Sequence, residues 1–205
     1  MVKKHPLITP LLVGLAVVTS LQSGYAGASN VDHDSFGLSG TMWETATEGT
    51  GIKPEILYAV ALQESRELNE QGLAVPDPFV IRYGNQVERF DGFPEARNYL
   101  QKLLAQPDIK LKRLDIGLMQ INAGWHRHRV EELSDLLVPG LAIRAAATLL
   151  SEIAQSTSDP VRLLGRYHSY TPELTLKYGS SVQGIYCRLV NNNDLEICGG
   201  VYGLK

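Results

Sequence analysis

The chain is poor in several residue types that would announce a chemistry. It has 2 cysteines, 3 methionines, 2 tryptophans and 4 phenylalanines in 205 residues. Two cysteines are too few for a four-cysteine zinc site or a disulfide-dense scaffold. Positive charge is not in surplus either: 19 Lys and Arg face 22 Asp and Glu, a formal charge of −3. That balance gives no electrostatic reason to expect nucleic-acid binding. No segment reaches the roughly 18 consecutive apolar residues of a membrane-spanning helix. A Ser-His-Asp grouping, a phosphate loop, an internal repeat and a low-complexity run are all missing.

What is present begins with an export pattern. Lys3 and Lys4 precede a mostly apolar run from Leu7 to Val18, and Ala26-Gly27-Ala28 supplies small residues at a cleavage position. This order of charge, short apolar run and small residues is that of a secretory signal. Residues 1–28 are therefore expected to be a cleavable signal peptide, leaving a single domain over 29–205. Its removal takes two lysines and no acid, so the formal charge moves from −3 to −5. Cys187 and Cys198 suit an oxidising compartment and are expected to form one disulfide across the turn-like Asn191-Asn192-Asn193-Asp194.

The body of the chain reads as mainly α, an α+β arrangement of a helical lobe with a small β-hairpin insert. Residues 29–50 form a loose lead-in, with Met42 and Trp43 as candidates to dock on the body. Pro54 and Glu55 open a helix that carries Ile56, Leu57, Val60, Ala61 and Glu64 on one face. Phe79–Tyr83 and Gln86–Phe90 are short extended runs joined by Gly84-Asn85, a hairpin signal. Pro94 opens a helix to about Pro107, so 76–106 is a hairpin-and-helix unit. Further helices are expected over 141–156, from Asp159-Pro160 through Tyr167, and from Thr171-Pro172-Glu173 onward.

Glu64 is the residue that raises a functional question. It continues a stripe that the pattern assigns to the interior. An unpartnered buried carboxylate is costly and raises its own pKa. A carboxylic acid kept protonated near neutral pH is what protonating a glycosidic oxygen requires. The plainer alternative is a glutamate on a solvated face or paired with an arginine.

Gln63-Glu64-Ser65, followed by Gly117-Leu118-Met119-Gln120 and by Tyr167 in Arg166-Tyr167-His168, resembles the signatures of the soluble lytic transglycosylases. The resemblance covers roughly residues 43–180, and it is closest to the small exported type linked to conjugation and secretion systems. It implies a goose-lysozyme-like fold and cleavage of the MurNAc-β-1,4-GlcNAc bond of peptidoglycan with formation of a 1,6-anhydro product. Glu64 matches the single catalytic acid/base. Tyr167 matches the tyrosine that approaches it. Ser65, Gly117, Met119, Gln120 and His168 fall on substrate-side positions of the signatures, with Ser65 the one best suited to local support.

Two departures from the family pattern stand out. His168 replaces an asparagine, exchanging an amide for an imidazole. The two leading signatures lie more than fifty residues apart instead of about twenty, and 76–106 fills the gap. That unit is expected either to wall the sugar groove or to pack on the outside of the lobe.

The resemblance implies a periplasmic monomer acting on glycan strands, beside an envelope-spanning secretion or conjugation apparatus, with no cofactor, metal or nucleic acid. Two alternatives remain open: a hydrolytic muramidase with Asp91 or Asp115 as its second carboxylate, and an inert peptidoglycan-binding assembly module. In Trp125-His126-Arg127-His128-Arg129, the two histidines are a poor metal pair, and the stretch reads as a solvated basic run.

Overall fold

The structure, a computed structural model, describes residues 37–191 and 194–198. The expected signal peptide lies outside those residues. Two elements sit at the centre of the fold. One is helix α2 (Pro54–Ser65), which buries Ile56, Leu57, Ala59, Val60, Ala61, Leu62 and Ser65. Its burial extends around most of its circumference, so it is a core helix and not the one-faced helix that the apolar stripe predicts. The other is a four-stranded antiparallel sheet whose strands follow below.

Before α2, helix α1 (Met42–Thr47) opens on Thr41, whose side chain accepts from the Trp43 amide. Trp43 docks edge-on against Tyr58, with ring centroids 4.9 Å apart. Met42 does not dock; it stays exposed because α1 turns Trp43, not its neighbour, toward α2. After α2, strands β1 (Arg66–Leu68) and β2 (Ala74–Pro76) form a two-stranded ribbon. Their side chains are exposed or half-buried with no alternation, and the sequence pattern shows no sign of them.

Strands β3 (Val80–Tyr83) and β4 (Gln86–Arg89) form the expected hairpin, with Tyr83 opposite Gln86 across Gly84-Asn85. The hairpin is not isolated. β3 also pairs with β5 (Leu114–Ile116), which turns back into β6 (Ile121–Asn122), giving the sheet order β4-β3-β5-β6. The connection from β5 to β6 is Gly117-Leu118-Met119-Gln120 itself. Helix α3 (Phe93–Leu104) packs Ala96, Leu100 and Leu103 inward and covers the sheet and the tight turn at Leu133–Leu137.

A short helix α4 (Ala123–His126) follows β6, with Asn122 capping the Gly124 and Trp125 amides. Helix α5 (Pro139–Ala154) supplies eight buried aliphatic residues. Helices α6 (Pro160–His168) and α7 (Pro172–Leu189) then fold back on each other, and α7 also packs along α2. At the α6–α7 crossing a side chain on Gly179 would stand 1.9 Å from the Val161 carbonyl oxygen, and one on Gly165 would stand 2.0 Å from the Thr175 carbonyl oxygen. The two glycines therefore set how closely these helices approach, and with it the spacing of the side chains they present to α2.

The expected disulfide is present: Cys187 and Cys198 are bonded, joining α7 to the short helix α8 (Leu195–Cys198). No helix of the described residues is long and apolar enough to cross a membrane.

Candidate active site

Glu64 occupies the last turn of α2, where the chain leaves the core. It lines a cavity of about 220 Å³ together with Arg82, Asp115, Gln120, Ile121, Asn122, Trp125, His126, Leu149, Tyr167 and His168. Glu64 retains some exposed surface toward this cavity, but the dense protein around its carboxyl desolvates it. Burial pushes the carboxyl up to about 7; Tyr178 and Arg82 pull it back down, and Asp115 pushes it further up. The C-terminal end of α2 adds to the rise, since the helix dipole is negative there. Glu64 is thus a carboxylic acid that holds its proton close to neutral pH while facing an open cavity.

Among the described residues the carboxyl's hydrogen-bond partner is Tyr178, whose hydroxyl donates to Glu64 Oε1 at 2.5 Å. Tyr178 is buried, and it stacks face to face with His168, ring centroids 4.9 Å apart and planes inclined by 5°. α7 brings Tyr178 against α2, and the end of α6 brings His168 over it. No sequence signal singles out Tyr178: it sits on a long helix among ordinary core positions, and only the packing of α7 on α2 reveals its role.

Tyr167 lines the cavity as well, but its hydroxyl donates to the Met119 carbonyl at 2.7 Å rather than to Glu64. It braces the 117–120 loop. His168 faces the cavity and stacks on Tyr178, not on Tyr167.

The loop signature is mostly architecture. Gly117 has φ +74°, and a side chain there would meet the Leu136 carbonyl oxygen at 2.0 Å. Its close approach is to the protein's own backbone, not to a ligand in the cavity. Met119 is fully buried in the core and does not line the cavity. Ser65 is buried too; its Oγ lies 2.8 Å from the Leu118 carbonyl oxygen and 3.0 Å from that of Ala61, so its proton ties the loop to the end of α2. Gln120 does reach the cavity. It has φ +44°, donates from Nε2 to the Gly117 and Val80 carbonyls, and leaves Oε1 buried without a hydrogen-bond partner. A buried acceptor without a donor is costly, and a ligand N–H or O–H in the cavity would satisfy it.

Of the two other carboxylates considered from sequence, Asp115 lines the cavity and Asp91 lies exposed outside it. Asp115 accepts from Asn122 Nδ2 at 2.8 Å. Burial raises its carboxyl, while the Asn122 bond, Arg82 and His168 lower it.

Trp125 is exposed at the cavity rim with the Lys112 ammonium 4.1 Å from its ring centroid. The basic stretch around it is solvated in part: Arg127 and His128 are exposed as expected, while His126 and Arg129 are half-buried. Arg129 is half-buried and makes a two-pronged ion pair with Glu152 on α5, at 2.9 and 2.5 Å, and also lies 3.5 Å from His126 Nδ1. His126 is half-buried against the cavity, and burial lowers its pKa. Among the described residues no group of His, Cys, Asp and Glu is arranged to hold a metal ion.

The 76–106 unit divides between the two expected placements. β3 sends Arg82 to the cavity wall, whereas no residue of α3 lines the cavity. Comparison with protein-family models, curated proteins and solved structures finds no match to this chain.

Proposed function

We propose that this protein is a peptidoglycan lytic transglycosylase, cleaving the MurNAc-β-1,4-GlcNAc bond without water and leaving a 1,6-anhydroMurNAc end. The observation that carries the reading is Glu64: a carboxyl held up at about 7, bonded through one oxygen to Tyr178 and facing an open cleft. With Oε1 engaged by Tyr178, Oε2 is the oxygen free to carry the proton.

In the first step Glu64 gives that proton to the glycosidic oxygen as the C1–O bond breaks, and GlcNAc leaves as an alcohol. The resemblance to soluble lytic transglycosylases implies that the substrate's own N-acetyl oxygen supports C1 at this stage, in place of a second carboxylate. In the second step the C6 hydroxyl of MurNAc bonds to C1 as the bond from the N-acetyl oxygen to C1 breaks, and it gives its proton to the Glu64 carboxylate. The acid is regenerated, and no water is consumed. The Tyr178 hydroxyl stabilises the carboxylate that exists between the two steps. The unpartnered Gln120 Oε1 offers an acceptor to a sugar amide or hydroxyl.

The disulfide fits an oxidising compartment, and we place the protein in the periplasm, opening the wall locally for an envelope-spanning secretion or conjugation apparatus. Asp115 favours one second reading. It shares the cavity with Glu64, so a hydrolase in which it activates water is the rival chemistry.

Mass spectrometry of muropeptides released from purified peptidoglycan separates these. Anhydro ends from the parent and none from Glu64→Gln support the transglycosylase. Reducing ends lost in Asp115→Asn support the hydrolase. No product with the parent overturns both and leaves a binding module.

A further inference from the structure

Arg82 is the cation of the cleft that has no counter-ion in contact. It stands on β3 directly opposite Asp115 on β5, so the two side chains rise from the same face of the sheet. It lines the cavity with Glu64 and Asp115 and lowers the carboxyl pKa of both. Yet its side chain makes no hydrogen bond and no ion pair with any described residue. Asp115 turns instead to Asn122, and Glu64 to Tyr178.

The strand that carries Arg82 is held firmly. Arg89, on the paired strand β4, forms an ion pair with the buried Asp77 at 2.5 Å and donates to the Ser65 carbonyl at 3.2 Å. Ser65 is the residue after Glu64, so the hairpin is clamped to the end of the helix that bears the acid. The backbone that carries Arg82 is therefore fixed relative to Glu64, while the side chain itself is exposed. A guanidinium with free N–H donors, carried into a cleft on a firmly held strand, is suited to receive a carboxylate, and its planar fork suits two-point contact.

We propose that Arg82 is a specificity-determining residue of this cleft, binding a carboxylate carried on the muramyl arm of the glycan strand. The inference rests on the transglycosylase reading for its substrate. The carboxylate has two sources, the lactyl group of a strand stripped of peptide and the stem peptide of an intact one. Both hang from the sugar to one side of the bond being cut, so Arg82 selects and orients the strand while Glu64 handles the protons.

The test is equilibrium binding in a Glu64→Gln background, where strands are held and not cut. The probes are amidase-stripped strands and peptide-bearing strands, each with carboxylates native or converted to neutral amides. Arg82→Gln should weaken binding of native strands by about three- to tenfold and leave amidated strands unaffected, with Arg82→Lys recovering part of the loss. An effect on stripped strands assigns the lactyl carboxylate, and an effect confined to peptide-bearing strands assigns the stem peptide. Equal affinity of Arg82→Gln and its parent background for native strands of both kinds overturns the inference and leaves the proposed function standing. Failure of the Glu64→Gln protein to bind any strand, together with no anhydro product from the parent enzyme, overturns both.

Discussion

The Tyr178 hydroxyl lies 2.5 Å from Glu64 Oε1 and donates to it. The two residues are 114 positions apart and meet only because α7 packs along α2. The bond fixes which carboxyl oxygen is spoken for. It also sets a limit on how far burial can raise the acid, because a donor to the charged form favours that form. Glu64 settles at about 7 as the balance of the two.

Tyr178→Phe removes the larger of the two influences that lower Glu64, leaving that of Arg82 and the desolvation that raises it. The protonated form then persists to higher pH. The alkaline limb of kcat/KM, expected near pH 7 in the parent, should move up by roughly one unit. Tyr167→Phe removes a different bond, the one to the Met119 carbonyl. It should cost about 1–3 kcal/mol of stability by leaving that carbonyl unsatisfied, without shifting the limb. The pH profiles of the two variants side by side distinguish the roles; a limb that moves in Tyr167→Phe and not in Tyr178→Phe reverses the assignment.

Glu64→Gln should abolish most activity, by about 10²–10⁴-fold, while stabilising the protein at alkaline pH. The sign follows from linkage. The folded carboxyl titrates at about 7 and the unfolded one near 4.5, so the folded state binds more protons between those values. Stability is therefore lost as pH rises through that window. Glutamine carries no charge to desolvate, so its advantage should be on the order of 2–3 kcal/mol at pH 8 and vanish by pH 4. Thermal melts of both proteins at the two pH values check this.

The positions of the helices were largely legible because their starts carry strong local signals: Pro54, Pro94, Pro160 and Pro172 each stand in a first turn. The β3–β4 hairpin was legible for the same reason, through Gly84-Asn85. Glu64 stood out as an acid in an apolar stripe. The remaining strands were not legible. β6 is two residues long, and β1 and β2 show no alternation, so pairing partners decide them and not local pattern. The structure brings Glu64, Gln120, Tyr167 and His168 to one cavity, whereas placements that depend on packing left no local trace in the sequence. Met119 and Gly117 sit in a suggestive signature but serve the core and the loop backbone. Tyr178 carries no signature and holds the acid.

Gly117→Ala tests the architectural role of the loop. The backbone there is left-handed, and an added Cβ would lie 2.0 Å from the Leu136 carbonyl oxygen, a backbone atom that cannot swing aside. Conformational strain and the forced displacement together should cost about 2–5 kcal/mol. Because Gln120 hangs from the same loop, activity should fall along with the melting temperature. A stable Gly117→Ala protein of normal activity would show that the loop adapts and that the close contact with Leu136 is dispensable.

The disulfide offers a test of how far the C-terminal segment supports the site. Cys187 ends the buried stretch of α7, the helix that also carries Tyr178. Within the loop that the bridge closes, Asp194 accepts from Tyr186 at 2.6 Å and pairs with Lys53 at 2.5 Å, so the segment is tied both to α7 and to the start of α2. Replacing both cysteines by serine should lower stability by about 2–3 kcal/mol, through the freed unfolded chain and two small polar side chains in an apolar site. Tyr178 lies more than two helical turns upstream, on the part of α7 that α2 and α6 both cover. The double variant should therefore keep the parent's alkaline limb near pH 7 while melting at a lower temperature. A displaced limb would mean that the closure of this loop reaches the Tyr178–Glu64 contact, making the C-terminal bridge part of the machinery that sets the acid.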